Sequence, residues 1–239
     1  MVVNNVFIPY GGYWSTPFCR LQGSFAHPNA ITFAAEMASR FLKSRGISPE
    51  AFDSLILGIT IPQKHAFFGA PWLAGLIGAP HISGPMIAQA CATSARVVAT
   101  AALEVAAGED HCVLAVTCDR TSNGAHIYYP NPLGTGGTGE KEDWVWDNFG
   151  FDPFATNSML QTAENVAKEA GITTEEQNEM TLLRYAQYQA ALADDAAFHR
   201  RYMITPIDVT APSGRKVLAS VKDDEGIYPT TPEGLARLK

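Results

Sequence analysis

The chain reads as an α/β fold: a mostly parallel sheet flanked by helices, followed by a mainly helical segment. Three observations carry this. Short apolar runs rich in β-branched residues alternate with helical patterns of about fifteen residues, the signature of βαβ units. Two of those runs, Ser54 to Ile61 and His111 to Thr117, are almost continuously apolar, as strands covered on both faces must be. After Asp119 the alternation stops, giving way to a Gly- and Pro-rich stretch and two helical patterns.

Taken in order, Val2 to Pro9 predicts a first strand, and Gly11 to Pro28 a loop. Ala30 to Arg45 has helical periodicity and stops at Gly46, a residue that ends helices in the left-handed conformation. Ser54 to Ile61 predicts a buried strand, Phe67 to Leu76 a helix with Pro71 near its start, and Met86 to Ala90 a strand. Thr93 to Ala107 predicts a helix ended by Gly108. Its apolar stretch from Val97 is too short to span a membrane and predicts a helix buried on most sides. His111 to Thr117 closes the series.

Thr121 to Trp146 reads as loop. It contains Gly134-Thr135-Gly136-Gly137-Thr138-Gly139, which formally matches a dinucleotide-binding pattern. Neither a preceding strand nor a following apolar helix is present, so a flexible exposed loop is the better reading. Arg120, His126, Tyr128 and Tyr129 stand on this loop, and Trp144 and Trp146 read as packing residues. Asn157 to Ala170 and Thr173 to about Ala193 predict two helices, the second opening with a capping box at Thr173 and Glu176. Met203 to Val209 and Arg215 to Ser220 predict strands, and Asp223 to Lys239 mostly loop.

Composition narrows the function. With 239 residues and a hydrophobic fraction of 46%, the chain can bury a sizeable core. A net charge of −7 and no basic cluster argue against nucleic acid. Only 17% of residues are charged, which points to a surface that is apolar or covered by a partner. The N-terminus shows no signal-peptide pattern, and four cysteines without paired spacing make neither a disulfide framework nor a zinc site. The expected setting is a reducing cytoplasm.

Cys91 is the candidate nucleophile. It follows an apolar strand, precedes a helix, and is succeeded by the small residues Ala92, Thr93 and Ser94. A helix N-terminus offers unpaired N–H groups and the positive end of its dipole, which favour a thiolate. The small neighbours leave room for a large substrate. Cys19, Cys112 and Cys118 read as buried small hydrophobes. A buried, inert thiol is the alternative at Cys91 also.

The ordered segments resemble the thiolase family. Thr16-Pro17-Phe18 is similar to its early arginine-threonine-proline-phenylalanine segment, with Ser15 where the arginine stands. Leu57-Gly58 resembles the strand and turn after the first helix, and Gln89 to Ala95 falls where the family carries its reactive cysteine. Thr162-Ala163-Glu164-Asn165-Val166-Ala167, with Gly171-Ile172 and Glu175-Glu176-Gln177, is similar to the helix pair of the thiolase loop domain. Thr230-Thr231 and Leu235 to Lys239 resemble the approach to the family's second half.

The resemblance implies a thiolase-like half, in βαβαβαβ order with a mixed sheet, over residues 1–119. It implies a loop domain at 120–201 that holds the acyl group and coenzyme A, and returning strands at 202–239. It makes Cys91 the acylated nucleophile, with its own backbone N–H as half of an oxyanion site. It places Ser158, Met159, Tyr228 and Gly234 at the acyl and coenzyme A contacts. Acyl-CoA and CoA are then substrates, with no bound cofactor and no metal.

The departures are specific. Ala92-Thr93-Ser94 replaces a glycine-serine-glycine, Ser158 replaces a histidine, Tyr228 an arginine, and Gly234 a serine. Asp119 to Asn123 replaces a methionine-glutamate-serine-methionine. The family's second half, with a glycine-histidine-proline motif and a second reactive cysteine, has no counterpart here. His27 precedes Pro28, but Ala26 stands before it, and it reads as a loop residue. The resemblance thus implies one subunit of a split thiolase, with a separate chain supplying the rest and a dimer of such heterodimers. The other readings are a non-catalytic scaffold subunit and a ketoacyl-synthase-type condensing enzyme.

Overall fold

A computed structural model describes residues 4–211 and 213–238. The first strong element is helix α1 (Ala30–Arg45). Asn29 caps it, its side chain accepting the amide of Ile31 at 3.0 Å, and Gly46 ends it at φ 65°. Strand β1 (Ser54–Gly58), helix α2 (Gly69–Leu76), strand β2 (Met86–Ile87), helix α3 (Thr93–Ala107) and strand β3 (Val113–Thr117) follow. The strands form one parallel sheet in the order β2-β1-β3, with Ile56 opposite Ala115 and Leu57 opposite Met86.

The pleat of β1 sorts the layers. Leu55 and Leu57 join Ile31, Ala35, Ala38 and Phe41 of α1 and Leu73 and Ala74 of α2 in the main core. Full burial of one such Leu side chain stabilises by about 1.5–3 kcal/mol. Ile56 and Gly58 face the other way, toward α3. A Cβ on Gly58 would meet the Val97, Thr117 and Thr93 methyls at 2.8, 2.9 and 2.9 Å. The glycine lets α3 lie directly on the sheet. The half-domain is therefore a three-layer α/β/α unit.

Two expectations about this unit need correction. Asn4 to Pro9 form no strand, because Asn5 is left-handed at φ 61° and Pro9 has no N–H; Val2 and Val3 lie outside the described residues. And α3 is not buried on most sides: only Thr93 and Val97 of its 15 residues are buried. With the turn before it, Ala90–Ala107 forms an 18-residue stretch that is long and apolar enough, by length and composition, to cross a membrane. Here its Val97 edge seats on the sheet, as in a core helix with one side uncovered. Among the described residues, nothing pairs with the outer edge of β3. Cys112 C=O and Cys118 N–H face β1, so the backbone groups of Val113, Ala115 and Thr117 point outward.

The segment expected to be loop contains a hairpin, β4 (His126–Tyr129) and β5 (Glu140–Asp143), antiparallel with Tyr128 opposite Lys141. The Gly134 to Gly139 run is its connection, with Gly136 and Gly137 left-handed at φ 69° and 70°, so the dinucleotide reading stays rejected. Short helix α4 (Trp146–Gly150) leads to α5 (Met159–Ala170) and α6 (Thr174–Ala191), whose capping box is present. A kinked turn, α7 (Ala193–Ala196), precedes the antiparallel pair β6 (Ile207–Thr210) and β7 (Val217–Val221). Pro232–Leu235 forms a last helical turn, α8. The N-terminal loop is held by Trp14 stacked on Phe41 at 4.6 Å and by Ser15, whose amide donates to Tyr202 C=O at 3.0 Å.

Candidate active site

Cys91 stands between β2 and α3, in a single 3-10 turn at Ala90–Ala92, and its side chain is exposed. The turn is tightly built. Ala90 is left-handed at φ 45°, a conformation that costs a non-glycine residue roughly 1–2 kcal/mol. The Thr93 hydroxyl offsets that cost twice. It accepts the Gln89 amide at 2.7 Å and donates to Ala90 C=O at 2.8 Å, and Thr93 is itself only 5% exposed. The Gln89 side chain is held in turn by Arg96 Nε at 2.6 Å.

Cys91 lines one end of a broad, open concavity of about 1540 Å³ that also runs along α3 past Val98 and Val105 and under the N-terminal loop at Trp14. Gly58 ends β1 in its wall and Thr60 and Ile61 follow, Cys118, Asp119 and Arg120 follow β3, and Trp144 and Phe149 come from the hairpin side. These are the carboxyl ends of parallel strands, where open α/β sheets bind ligands. The Asp119 carboxylate accepts the amides of Thr60 at 3.0 Å and Ile61 at 2.9 Å, and Thr60 C=O accepts the Trp144 indole N–H at 3.0 Å. Arg120 donates to His27 C=O and Pro28 C=O, each at 2.9 Å, tying the early loop to the rim. Partial burial holds its guanidinium below the usual range.

The remaining thiols have different surroundings. Burial, then the Asp119 charge, pushes Cys118 up to about 12. Burial, then Glu225, does the same to Cys19. Cys112 is exposed, which corrects its reading as a buried hydrophobe. Desolvation by its surroundings, followed by Asp53, still raises it.

The other expected site residues do not gather around Cys91. Tyr228 lines a second, open concavity of about 740 Å³ with Arg20, His27 and Glu225. Ser158 caps α5, accepting the Gln161 amide at 3.2 Å, with Met159 beside it and 44% exposed. Gly234 lies in α8, its amide donating to Thr231 Oγ1 at 3.1 Å. Ser158, Met159 and Gly234 line neither concavity. His126, Tyr128 and Tyr129 belong to β4 rather than to a loop. Trp144 packs as expected, whereas Trp146 is 63% exposed. Sequence reasoning missed Gly58, Thr60, Thr93 and Asp119 as builders of the site. A glycine closing an apolar strand and an aspartate just past another were the available signals.

This fold and corner define the class. The family described as "Thiolase, N-terminal domain" matches residues 13–239. The chain belongs to the thiolase family and corresponds to its N-terminal domain. It is 25% identical over 232 residues to a beta-ketoadipyl-CoA thiolase of Acinetobacter baylyi, covering 94% of this chain and 57% of that protein. It is 27% identical over 231 residues to an acetyl-CoA acetyltransferase of Synechocystis, again covering 94% and 57%. The structure of human mitochondrial 3-ketoacyl-CoA thiolase in complex with CoA superposes with a TM-score of 0.76 at 25% identity, over 93% of this chain and 55% of that one. The chain thus spans a little over half the length of these relatives.

Proposed function

We propose that this chain is the acyl-accepting subunit of a thiolase, with Cys91 as the nucleophile. The observation that carries the reading is an exposed cysteine, on a braced strand-to-helix corner, beside the open concavity at the carboxyl ends of β1 and β3. Cys91 Sγ attacks the carbonyl of an acyl-CoA. A carbon–sulfur bond forms to Cys91 as the bond to coenzyme A breaks, and the thiol proton leaves on the departing CoA. In the condensing direction, a base removes a proton from C2 of a second acyl-CoA, and that carbon displaces Cys91 from the acyl group. Thiolytic cleavage is the reverse.

A histidine base and a second cysteine are required, and we assign them to a separate partner subunit. The uncovered side of α3 supports this assignment. We further assign acyl and coenzyme A recognition to residues 120–201, with Ser158, Met159, Tyr228 and Gly234 reaching the substrate in the assembled enzyme. A reducing, cytoplasmic setting suits four free thiols.

The test is alkylation by iodoacetamide, followed cysteine by cysteine. Cys91 is expected to react ahead of Cys112, and acyl-CoA to protect it. Equal labelling of both exposed thiols, with no protection, defeats the nucleophile assignment and leaves a scaffold subunit. Robust thiolysis by the isolated chain defeats the partner assignment alone.

A further inference from the structure

We propose that Thr93 is a positioning residue, whose hydroxyl sets the sulfur of Cys91 by holding Ala90 in its left-handed conformation. The proposal rests on the reading of Cys91 as the acyl acceptor. Nothing about an alanine favours φ 45°, so the turn needs an outside hold. One hydroxyl supplies it from both sides of Ala90, taking the amide of Gln89 and giving its proton to Ala90 C=O. Cys91 is the next residue, so its direction follows from that turn.

The side chain does two separable things. Its methyl lodges beside Gly58, 2.9 Å from where a Cβ there would stand. Its hydroxyl clamps the turn. Valine keeps the methyl and removes both hydrogen bonds; serine keeps the bonds and removes the methyl. Ala90→Gly relieves the left-handed strain without the hydroxyl.

The experiment measures the iodoacetamide rate constant of Cys91 by peptide mass spectrometry, with Cys112 in the same sample as an internal control. Thr93→Val is expected to slow Cys91 about tenfold while leaving Cys112 unchanged, since alkylation follows the exposure of the sulfur and the backbone dipoles around it, both of which this turn sets. Hydrogen exchange at the Gln89 amide is expected to speed up in the same variant. Thr93→Ser should keep the wild-type rate, and Ala90→Gly in the Thr93→Val background should restore most of it.

A Thr93→Val protein that labels Cys91 at the wild-type rate, with the Gln89 amide exchanging faster, overturns the proposal. If that variant does not fold, Thr93→Ser decides: a rate tenfold down assigns the effect to the methyl and overturns the hydroxyl's role, while an unchanged rate with a protected Gln89 amide supports it. Loss of acyl-CoA protection in the wild type would sink the acyl-acceptor reading and leave this comparison of rates intact.

Discussion

Asp119 and Thr60 stand on the ends of adjacent parallel strands, and the carboxylate of the first holds the amide of the second at 3.0 Å. The Thr60 hydroxyl donates to the same carboxylate. Because Thr60 C=O also accepts the Trp144 indole, this pair links β1, β3 and the hairpin segment around the mouth of the Cys91 cavity. Removing the carboxylate leaves three donors without their acceptor. Asp119→Ala is expected to destabilise the chain by about 1–2 kcal/mol, toward the lower part of the range for hydrogen bonds to charged groups because the site is exposed. Urea denaturation checks this, and Asp119→Asn should retain part of the loss. A midpoint unchanged in Asp119→Ala would contradict the bracing role.

Gly58 makes a separate prediction. Gly58→Ala introduces a methyl 2.8–2.9 Å from three others, so α3 must move off the sheet or the side chains must leave their rotamers. The expected cost is about 1–3 kcal/mol. Adding Val97→Ala opens space on the helix side and should return part of it, a coupling that a double-mutant cycle measures. Strict additivity of the two changes would argue against contact at this position.

Alkaline pH tests Cys118. Its thiol binds a proton more tightly folded, where it is pushed up to about 12, than unfolded, where a thiol titrates at about 8.5. The raised folded value means the contribution is complete below about 8.5 and is lost as pH climbs from there toward 12. Thermal melts of the wild type should therefore fall steadily across that window. Cys118→Ala should flatten the slope, whatever it does to the melting temperature at neutral pH. An identical slope in both proteins would show that the thiol titrates in the folded chain where it does in the unfolded one, and would contradict the raised folded value.

Much of the fold was legible because its signals are local. Ala30–Arg45 and Thr93–Ala107 ended where expected, since Gly46 and Gly108 each supply a left-handed stop. The β4–β5 hairpin was hidden because one of its strands is Glu140-Lys141-Glu142-Asp143, a run no strand propensity favours. Tertiary bonds settle it, among them Tyr129 OH to Glu142 at 2.7 Å. The exposure of α3 was misread for a related reason: an all-round apolar pattern says a face should be covered, not by what. Cys91 itself was legible from its corner. The left-handed Ala90 and the clamp by Thr93 were not, because alanine carries no signal for positive φ and a threonine in a first turn has many other uses.

The open edge of β3 and the bare flank of α3 bear on how the molecule behaves in a tube. Val98 is 46% exposed beside a row of outward amides and carbonyls, with neither a proline nor a lysine within Val113–Thr117 to blunt them. A net charge of −7 gives long-range repulsion, which ordinary salt screens within about 8–10 Å. Colloidal stability is therefore limited by one seam rather than by the fold as a whole. Light scattering should grow with concentration and ionic strength, and Val98→Lys, on the exposed flank of α3, should suppress it.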